Sequence, residues 1–162
     1  MDHVIERLAG VRPGSPLAAA LAERAQIMGL SQASHDAVLI PRAPGGLSHG
    51  ERAALAVRMA RALADEALAA HYQGLLSQAG EMPELTRVAA GQAGPFAPRL
   101  GAIVRHVDML TLAPREATRG DVETLTAAGI AEADVVRLAE LAAFVNYQAR
   151  VIAGLRLLGG TA

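Results

Sequence analysis

Residues 47–72 read LSHGERAALAVRMARALADEALAAHY, a segment that joins a helix start to a long run of helical periodicity. Ser48 and Glu51 have the spacing of a capping box, in which each side chain accepts a hydrogen bond from the backbone N–H of the other residue. Leu55 and Met59 then recur at the spacing of a single helix face. The segment therefore predicts a helix that begins after Ser48, and it favours an all-α fold.

The rest of the chain has the same helical character. Adjacent β-branched residues occur only in pairs, and the nearest strand-like segment, residues 38–40, is stopped by Pro41. Gly and Pro turns separate the predicted helices, which span approximately residues 2–9, 16–39, 48–76, 83–90, 98–112, 118–128 and 132–158. The sequence therefore predicts an all-α multi-helix bundle with two long core helices, near residues 51–76 and 132–158.

Two of these segments contain a candidate position for an internal break. In the second segment, the candidate interruption is near Gly29 to Ser31. In the third segment, Asp65-Glu66 marks either a break or a polar face.

Composition and charge limit the class of protein. The chain has 162 residues, the size of one domain, so residues 1–162 are predicted to form a single domain. Hydrophobic residues make up 52% and aromatic residues 2%, which predicts a core of Ala, Leu and Val with close helix packing. Its 15 basic and 16 acidic residues give a net charge of -1. A nucleic-acid-binding protein should be clearly basic, so no nucleic-acid partner is expected.

Cysteine is absent from the sequence, which excludes disulfides, thiolate metal sites and thiol catalysis. No run reaches the roughly 18 apolar residues of a membrane-spanning helix, so no membrane partner is expected. Residues 1–7 lack a basic region followed by an apolar run, and no secretory signal is expected. Together these features predict a cytoplasmic protein.

Three segments carry a resemblance to a known family. Glu51, followed twenty residues later by His71, is similar to the signature of the AhpD-like and carboxymuconolactone decarboxylase superfamily, in which a glutamate, a CxxC pair and a histidine follow one another. Residues 105–111 look like the element before the last helix in the peroxidase-related members. Residues 144–150 are similar to the Asn-x-x-x-Arg helix of the same members. The order of these matches along the chain supports the peroxidase-related subgroup.

The resemblance implies an AhpD-like helical fold whose protomers assemble as homo-oligomers, with a trimer or a hexamer expected. In thiol-bearing relatives the glutamate and the histidine assist a CxxC pair that reduces hydroperoxides, and Glu51 and His71 match those two positions. The thiol positions read Ala64 and Ala67, so thiol peroxidase activity is not expected. The lactone decarboxylase branch keeps a helix-borne histidine without a CxxC pair, and Leu68-x-x-His71 also resembles that branch.

Glu51 and His71 are the candidate catalytic residues, with Glu51 as base and His71 as acid or orienting group. Each also has a structural interpretation, Glu51 as the capping-box partner of Ser48 and His71 as a partly buried histidine. Twenty residues along one straight helix would separate the two side chains by about 30 Å. The catalytic interpretation therefore requires the chain to fold back near Asp65-Glu66, or the pair to meet across a subunit interface.

Asn146 and Arg150 form a polar pair at positions i and i+4 of an otherwise apolar helix. A buried polar pair needs hydrogen-bond partners, which predicts a clamp onto backbone carbonyls or onto a carboxylate such as Asp108. Arg150 alternatively binds an anionic substrate or a neighbouring subunit. Tyr72, which adjoins His71, joins Asn146 and Arg150 as a candidate contact for a small-molecule ligand.

Signals for metals and cofactors are missing from the sequence. The five histidines show neither HxxxH nor HExxH spacing, so no metal site is expected. Gly45-Gly46 lacks the preceding strand and the following lysine of a phosphate-binding loop. No cofactor is therefore expected.

Three functions remain open at this point. The first is a cysteine-free acid/base enzyme that acts on a small molecule by proton transfer, lactone decarboxylation or a lyase-like step. The second is a non-catalytic oligomer with a structural or ligand-binding role. The third, an alkylhydroperoxidase, is disfavoured because its thiols are absent.

Overall fold

The computed structural model describes residues 3–80 and 82–160, and these residues form nine α-helices and one short 3-10 helix at Pro114–Glu116. The expected start of the first helix, at Asp2, lies outside the described residues. The α-helices are α1 (Val4–Leu8), α2 (Pro16–Ala22), α3 (Ala25–Leu39), α4 (His49–Ala62), α5 (Glu66–Ala79), α6 (Pro83–Ala89), α7 (Pro98–Leu112), α8 (Arg119–Ala127) and α9 (Glu132–Gly159). The prediction of an all-α fold is confirmed. In this described part of the chain, no helix combines the length and apolar character needed to cross a membrane.

The third predicted segment is a hairpin of α4 and α5, each 14 residues long. At the turn, the Asp65 N–H donates to the Ala60 carbonyl and the Ala64 N–H donates to the Arg61 carbonyl, the two bonds of a Schellman motif. Ala64 takes the left-handed conformation with φ of 57°. The Asp65 side chain then caps α5 by accepting from the Leu68 N–H. Of the two alternatives left open at Asp65-Glu66, a break or a polar face, the structure has the break. Of the two predicted long helices, α9 with 28 residues is therefore the continuous one.

The second predicted segment is divided at a different place from the expected one. α2 ends at Ala22 and α3 begins at Ala25, whereas the interruption expected at residues 29–31 lies inside a continuous α3. A glycine in a helix interior costs only about 1 kcal/mol. Burial of Met28 and Leu39 on one side of α3 outweighs that cost. The prediction of a break there was therefore wrong.

Helix α4 is the centre of the core. Residues 53–57 expose at most 1% of their surface, so every side of the helix meets another element. Helices α5, α6, α7 and α9 pack around it. Ala53, Ala54 and Ala56 allow the neighbouring helices to approach closely, while Leu55 fills the space between them. The composition rich in alanine thus matches a tightly packed central helix.

A buried arginine fixes the loop that leads into α4. Arg52 is 3% exposed and donates to the carbonyls of Val38, Pro44 and Leu47 over distances of 2.9 to 3.1 Å. These bonds satisfy the guanidinium without a carboxylate, as a buried charge requires. They also join the end of α3 to the first turn of α4, which sets the position of Glu51.

The left-handed residue in the hairpin turn gives a test of this architecture. The conformation of Ala64 costs a residue other than glycine about 1 kcal/mol. We expect Ala64→Gly to raise the free energy of unfolding by roughly 0.5–1 kcal/mol, measured by urea denaturation. The matched control Ala70→Gly changes an exposed alanine inside α5 and should lower that free energy by about 1 kcal/mol. Destabilisation by Ala64→Gly would contradict the turn geometry.

Candidate functional site

The Glu51 carboxylate caps the start of α4. One oxygen accepts a hydrogen bond of 2.8 Å from the Ser48 N–H, and the Ser48 hydroxyl accepts one of 3.1 Å from the Glu51 N–H. The predicted capping box is therefore present. The other carboxylate oxygen forms an ion pair with Arg99 at the start of α7. Both oxygens of Glu51 thus have protein partners.

His71, on α5, has a different set of neighbours. Its Nε2 lies 2.9 Å from Nε2 of His35 on α3, and its Nδ1 accepts from Arg7 on α1 over 3.2 Å. The α4–α5 hairpin brings Ala79, rather than His71, close to the start of α4, since a Cβ built on Gly50 would lie 3.8 Å from that of Ala79. The chain does fold back as the catalytic interpretation requires. Within one protomer, however, the side chains of Glu51 and His71 are not hydrogen-bonded to each other.

The contacts of His71 belong to a chain of hydrogen bonds in which every proton is donated in the same direction, from Arg7 toward Asp36. A guanidinium can only donate, so Arg7 fixes Nδ1 of His71 as an acceptor and places the His71 proton on Nε2. That proton is donated to Nε2 of His35, which leaves the His35 proton on Nδ1. The Asp36 carboxylate accepts the His35 proton over 2.8 Å. The relay, defined as Arg7, His71, His35 and Asp36, therefore satisfies both imidazoles in their neutral forms.

Burial determines the protonation of His71. Burial, together with the smaller effects of the neighbouring His35 and Arg7, lowers the pKa of His71 to about 4, because a further positive charge is unfavourable there. The imidazole is consequently neutral at physiological pH. A base with so low a pKa has little driving force for removing a proton near pH 7.

The turn that matches the thiol pair of the resembled family is closed by an ion pair. Asp65 lies between Ala64 and Ala67, and its carboxylate accepts a hydrogen bond of 3.0 Å from the Leu68 N–H. The same carboxylate accepts two hydrogen bonds, of 2.9 and 3.1 Å, from the Arg156 guanidinium. Arg156 also donates to the carbonyl of Leu8. The N-terminus of α5 is therefore covered by charged groups of the protein itself.

Tyr72 lies in the core and has no exposed surface. Its hydroxyl donates to the side-chain carbonyl of Gln148 on α9. Burial raises the pKa of the Tyr72 hydroxyl, and the nearby Asp65 raises it further. This location favours a structural role, and the assignment of Tyr72 to substrate binding stays a prediction.

Asn146 and Arg150 form the expected clamp onto backbone carbonyls. The Asn146 side chain donates to the Ala142 carbonyl, and one Arg150 nitrogen donates to both the side-chain and the backbone oxygen of Asn146. The carboxylate considered as an alternative, Asp108, instead accepts two hydrogen bonds from Arg58. Both members of the clamp line an apolar pocket of about 440 Å³ on α9, so their predicted role in ligand binding remains open.

In the described residues, no group of three or more histidine, aspartate and glutamate side chains is arranged to hold a metal ion. The two facing imidazoles of His35 and His71 lie beside the positive charge of Arg7, which disfavours a cation between them.

No family model and no curated protein match the sequence. Solved structures do match. One is an uncharacterized peroxidase-related protein from Silicibacter sp. TM1040, with a TM-score of 0.71 and 19% identity over 80% of this chain and 68% of that chain. Another is an uncharacterized peroxidase-related protein from Ralstonia eutropha JMP134, described as an alkylhydroperoxidase AhpD core, with a TM-score of 0.69 and 25% identity over 81% and 69%.

The chain has the AhpD-like fold. The resemblance drawn from the sequence to AhpD-like, peroxidase-related proteins is thereby confirmed, together with the absence of the CxxC cysteines. Likeness at this level of identity concerns the course of the helices. It assigns no role to Glu51 or His71 in this AhpD-like chain.

Sequence reasoning missed three members of the relay, which are Arg7, His35 and Asp36. One side of α3 is polar and carries Gln32, His35 and Asp36. Gln32 donates a hydrogen bond of 2.9 Å to Asp36, and the two residues have the i, i+4 spacing of neighbours on one helix face. That pattern could have identified a polar patch on α3. Nothing in it indicates contact with His71, which is 36 residues further along the chain, or with Arg7 on α1.

The neutral state of His71 predicts a dependence of stability on pH. The folded pKa is about 4 and the ordinary value is 6.5, so between these values the unfolded chain binds more protons. Stability should therefore fall as the pH decreases from about 6.5 to about 4. We expect His71→Gln to reduce this fall by about 1–2 kcal/mol, a figure lowered for the partial exposure of the ring. The free energy of unfolding, measured by denaturant at several pH values, gives the comparison.

The control for this experiment is His49→Gln, which changes an exposed histidine outside the relay and should keep the wild-type dependence on pH. Burial also lowers the pKa of His106, which therefore contributes in the same direction in every variant. An unchanged slope in His71→Gln would show that His71 is not held neutral by the fold.

Proposed function

We propose that this chain is a non-catalytic AhpD-like protein that self-associates and has a structural or ligand-binding role. The observation that carries the proposal is that every polar side-chain atom of Glu51 and His71 already has a protein partner. A general acid or base must present a proton or a lone pair to the reacting group. The two side chains that would supply this chemistry instead hold helices together.

The surroundings of Ala64 and Ala67 support the same proposal. A catalytic thiolate is stabilised by a helix N-terminus and by nearby positive charge. Here the N-terminus of α5 is capped by the Asp65 carboxylate, and the positive charge of Arg156 is paired with that same carboxylate. The position has thus lost both the thiols and the electrostatic environment in which thiols react.

Exposed apolar side chains support self-association. Several large apolar side chains expose about half or more of their area on the single protomer. Covering them with a partner would stabilise the assembly. Among the described residues they include Ile27, Leu30, Met82, Leu112, Val136, Leu157 and Leu158. A homo-oligomer, with the trimer or hexamer expected from the resemblance, would bury part of this surface.

The second candidate is an acid/base enzyme acting on a small molecule, such as a decarboxylase or lyase. Its support is the relay, in which the Asp36 carboxylate orients His35 and His35 in turn contacts His71. Arg7 is exposed, so a substrate that took its place would meet the Nδ1 lone pair of His71. Under this candidate His71 is the base, and Glu51 keeps its structural role.

A pair of activity assays distinguishes the two candidates. The purified chain is supplied with an organic hydroperoxide and a dithiol reductant, and separately with a panel of small carboxylactones. We expect no turnover above the protein-free rate in either assay, because the acid/base atoms are occupied. We also expect His71→Ala to lower the thermal unfolding temperature, since it breaks two hydrogen bonds of the relay.

The matched control is His49→Ala, which changes an exposed histidine bonded only to the carbonyl of Pro41 among the described residues. Turnover of a lactone that drops about 100-fold or more in His71→Ala, and not in His49→Ala, would replace the non-catalytic proposal by the enzyme. Hydroperoxide turnover by the wild-type chain would contradict both candidates.

A further inference from the structure

Helix α9 also carries apolar residues on a side that its own protomer leaves exposed. Its inner side is buried against the core, through residues such as Leu138, Leu141, Val145 and Ile152. Its outer side carries a second row of residues that alternates in steps of three and four, the spacing of helices that pair with each other. This outer row is exposed along its whole length and consists of Val136, Glu140, Ala143, Tyr147, Arg150, Gly154 and Leu157.

Two charges of opposite sign lie within the outer row. Glu140 and Arg150 are ten residues apart, or about 15 Å along the helix. Within residues 3–80 and 82–160, Arg150 has no carboxylate partner and Glu140 has no ion-pair partner. Each charge is therefore available to a group outside the protomer.

We propose that the outer row of α9 pairs with the same row of a second copy of this chain, antiparallel and about a two-fold axis. Two antiparallel helices place residues opposite each other when their numbers have a constant sum. A sum that puts Glu140 opposite Arg150 of the partner protomer also puts Ala143 opposite Tyr147. By symmetry each contact occurs twice, as in any isologous interface.

The sizes of the side chains fit this register. Tyr147 is 40% exposed, and its hydroxyl is hydrogen-bonded to Ser31, so the ring reaches toward α3 beside the row. The exposed edge of this large ring faces the small Ala143 in both halves of the contact. Further along the row, Val136 faces Gly154 in the same way. The parallel arrangement is disfavoured, because it would place Glu140 against Glu140 and Arg150 against Arg150.

The surface on both sides of the row is also suited to a partner. The pocket of about 440 Å³ and a groove of about 560 Å³ against α3 share Ala143 and Tyr147 as lining residues, so they adjoin along the row. Ile27 and Leu30 of α3 line the groove and are 52% and 61% exposed. These apolar side chains extend the contact beyond α9, toward the area that a stable dimer buries.

The inference rests on the self-association included in the proposed function, and it specifies one surface and a two-fold symmetry, which a hexamer built from dimers contains and an isolated trimer does not. It also gives the Asn146–Arg150 clamp a role. Asn146 holds one guanidinium nitrogen of Arg150, which fixes the direction of the side chain before the partner arrives. The ligand of Arg150 is then Glu140 of the partner protomer.

Charge reversal tests the register. We expect Glu140→Arg to raise the dissociation constant of the two-fold contact about tenfold or more, because two repulsive pairs replace two attractive ones. Combining Glu140→Arg with Arg150→Glu in the same chain should restore the wild-type value, since the pairs form again with their signs exchanged. Sedimentation velocity over a range of concentrations measures the constant, and circular dichroism checks that each variant is folded. Glu23→Arg, on the exposed end of α2, is the matched control.

Cysteine cross-linking tests the direction of the helices, and the absence of natural cysteine makes it free of background. The double variant Val136→Cys with Gly154→Cys should give a covalent dimer on mild oxidation. The two positions are about 27 Å apart within one helix, too far for a disulfide inside one protomer. Val136→Cys alone should remain largely uncross-linked, because in the antiparallel register it faces position 154.

The outcomes separate the interface from self-association in general. A wild-type monomer at all concentrations would overturn the interface and the proposed self-association together. An oligomer that resists Glu140→Arg, or that cross-links through Val136→Cys alone, would overturn the antiparallel register while leaving self-association standing. Restoration by the double charge reversal, together with cross-linking of the double cysteine variant, would establish it.

Discussion

The ion pair between Asp65 and Arg156 connects the parts of this molecule that matter most for its function. Asp65 ends the α4–α5 turn, caps α5 and binds the guanidinium of Arg156, which also reaches the carbonyl of Leu8. One buried carboxylate therefore joins α1, α5 and α9. With α1 held in this way, Arg7 lies against His71 and completes the relay. The environment of the candidate site is thus a consequence of a structural contact at the end of a helix.

Glu51 and His71 illustrate how residues associated with catalysis can be used for stability. The Glu51 carboxylate satisfies the first turn of α4 and an arginine of α7, and the His71 imidazole joins α5 to α1 and α3. In both cases the groups that could exchange a proton with a substrate are hydrogen-bonded to the protein. Residue types that occur in the order typical of a family are therefore weak evidence for its chemistry. The hydrogen-bond partners of those residues in the structure are stronger evidence.

Much of the fold could be predicted from the sequence, because local physical chemistry determines it. The capping box at Ser48 and the proline-bounded turns depend on residues close together in the chain. The contact of His35 with His71 and the choice of Arg58 as the partner of Asp108 depend on packing between distant helices, which no local pattern reports. The same holds for Gly29, which stays helical because Met28 and Leu39 are buried on one side of α3.

The sequence separation between Asp65 and Arg156 also has a consequence for the nascent chain during synthesis. These partners are 91 residues apart, so a ribosome makes α4 and α5 long before it makes the arginine that completes their contact. During that interval the N-terminal end of α5 carries a hydrated carboxylate, while the apolar sides of the hairpin still lack α9. The charge keeps one end of the hairpin in water, and the remaining apolar surface stays uncovered until translation supplies the last helix.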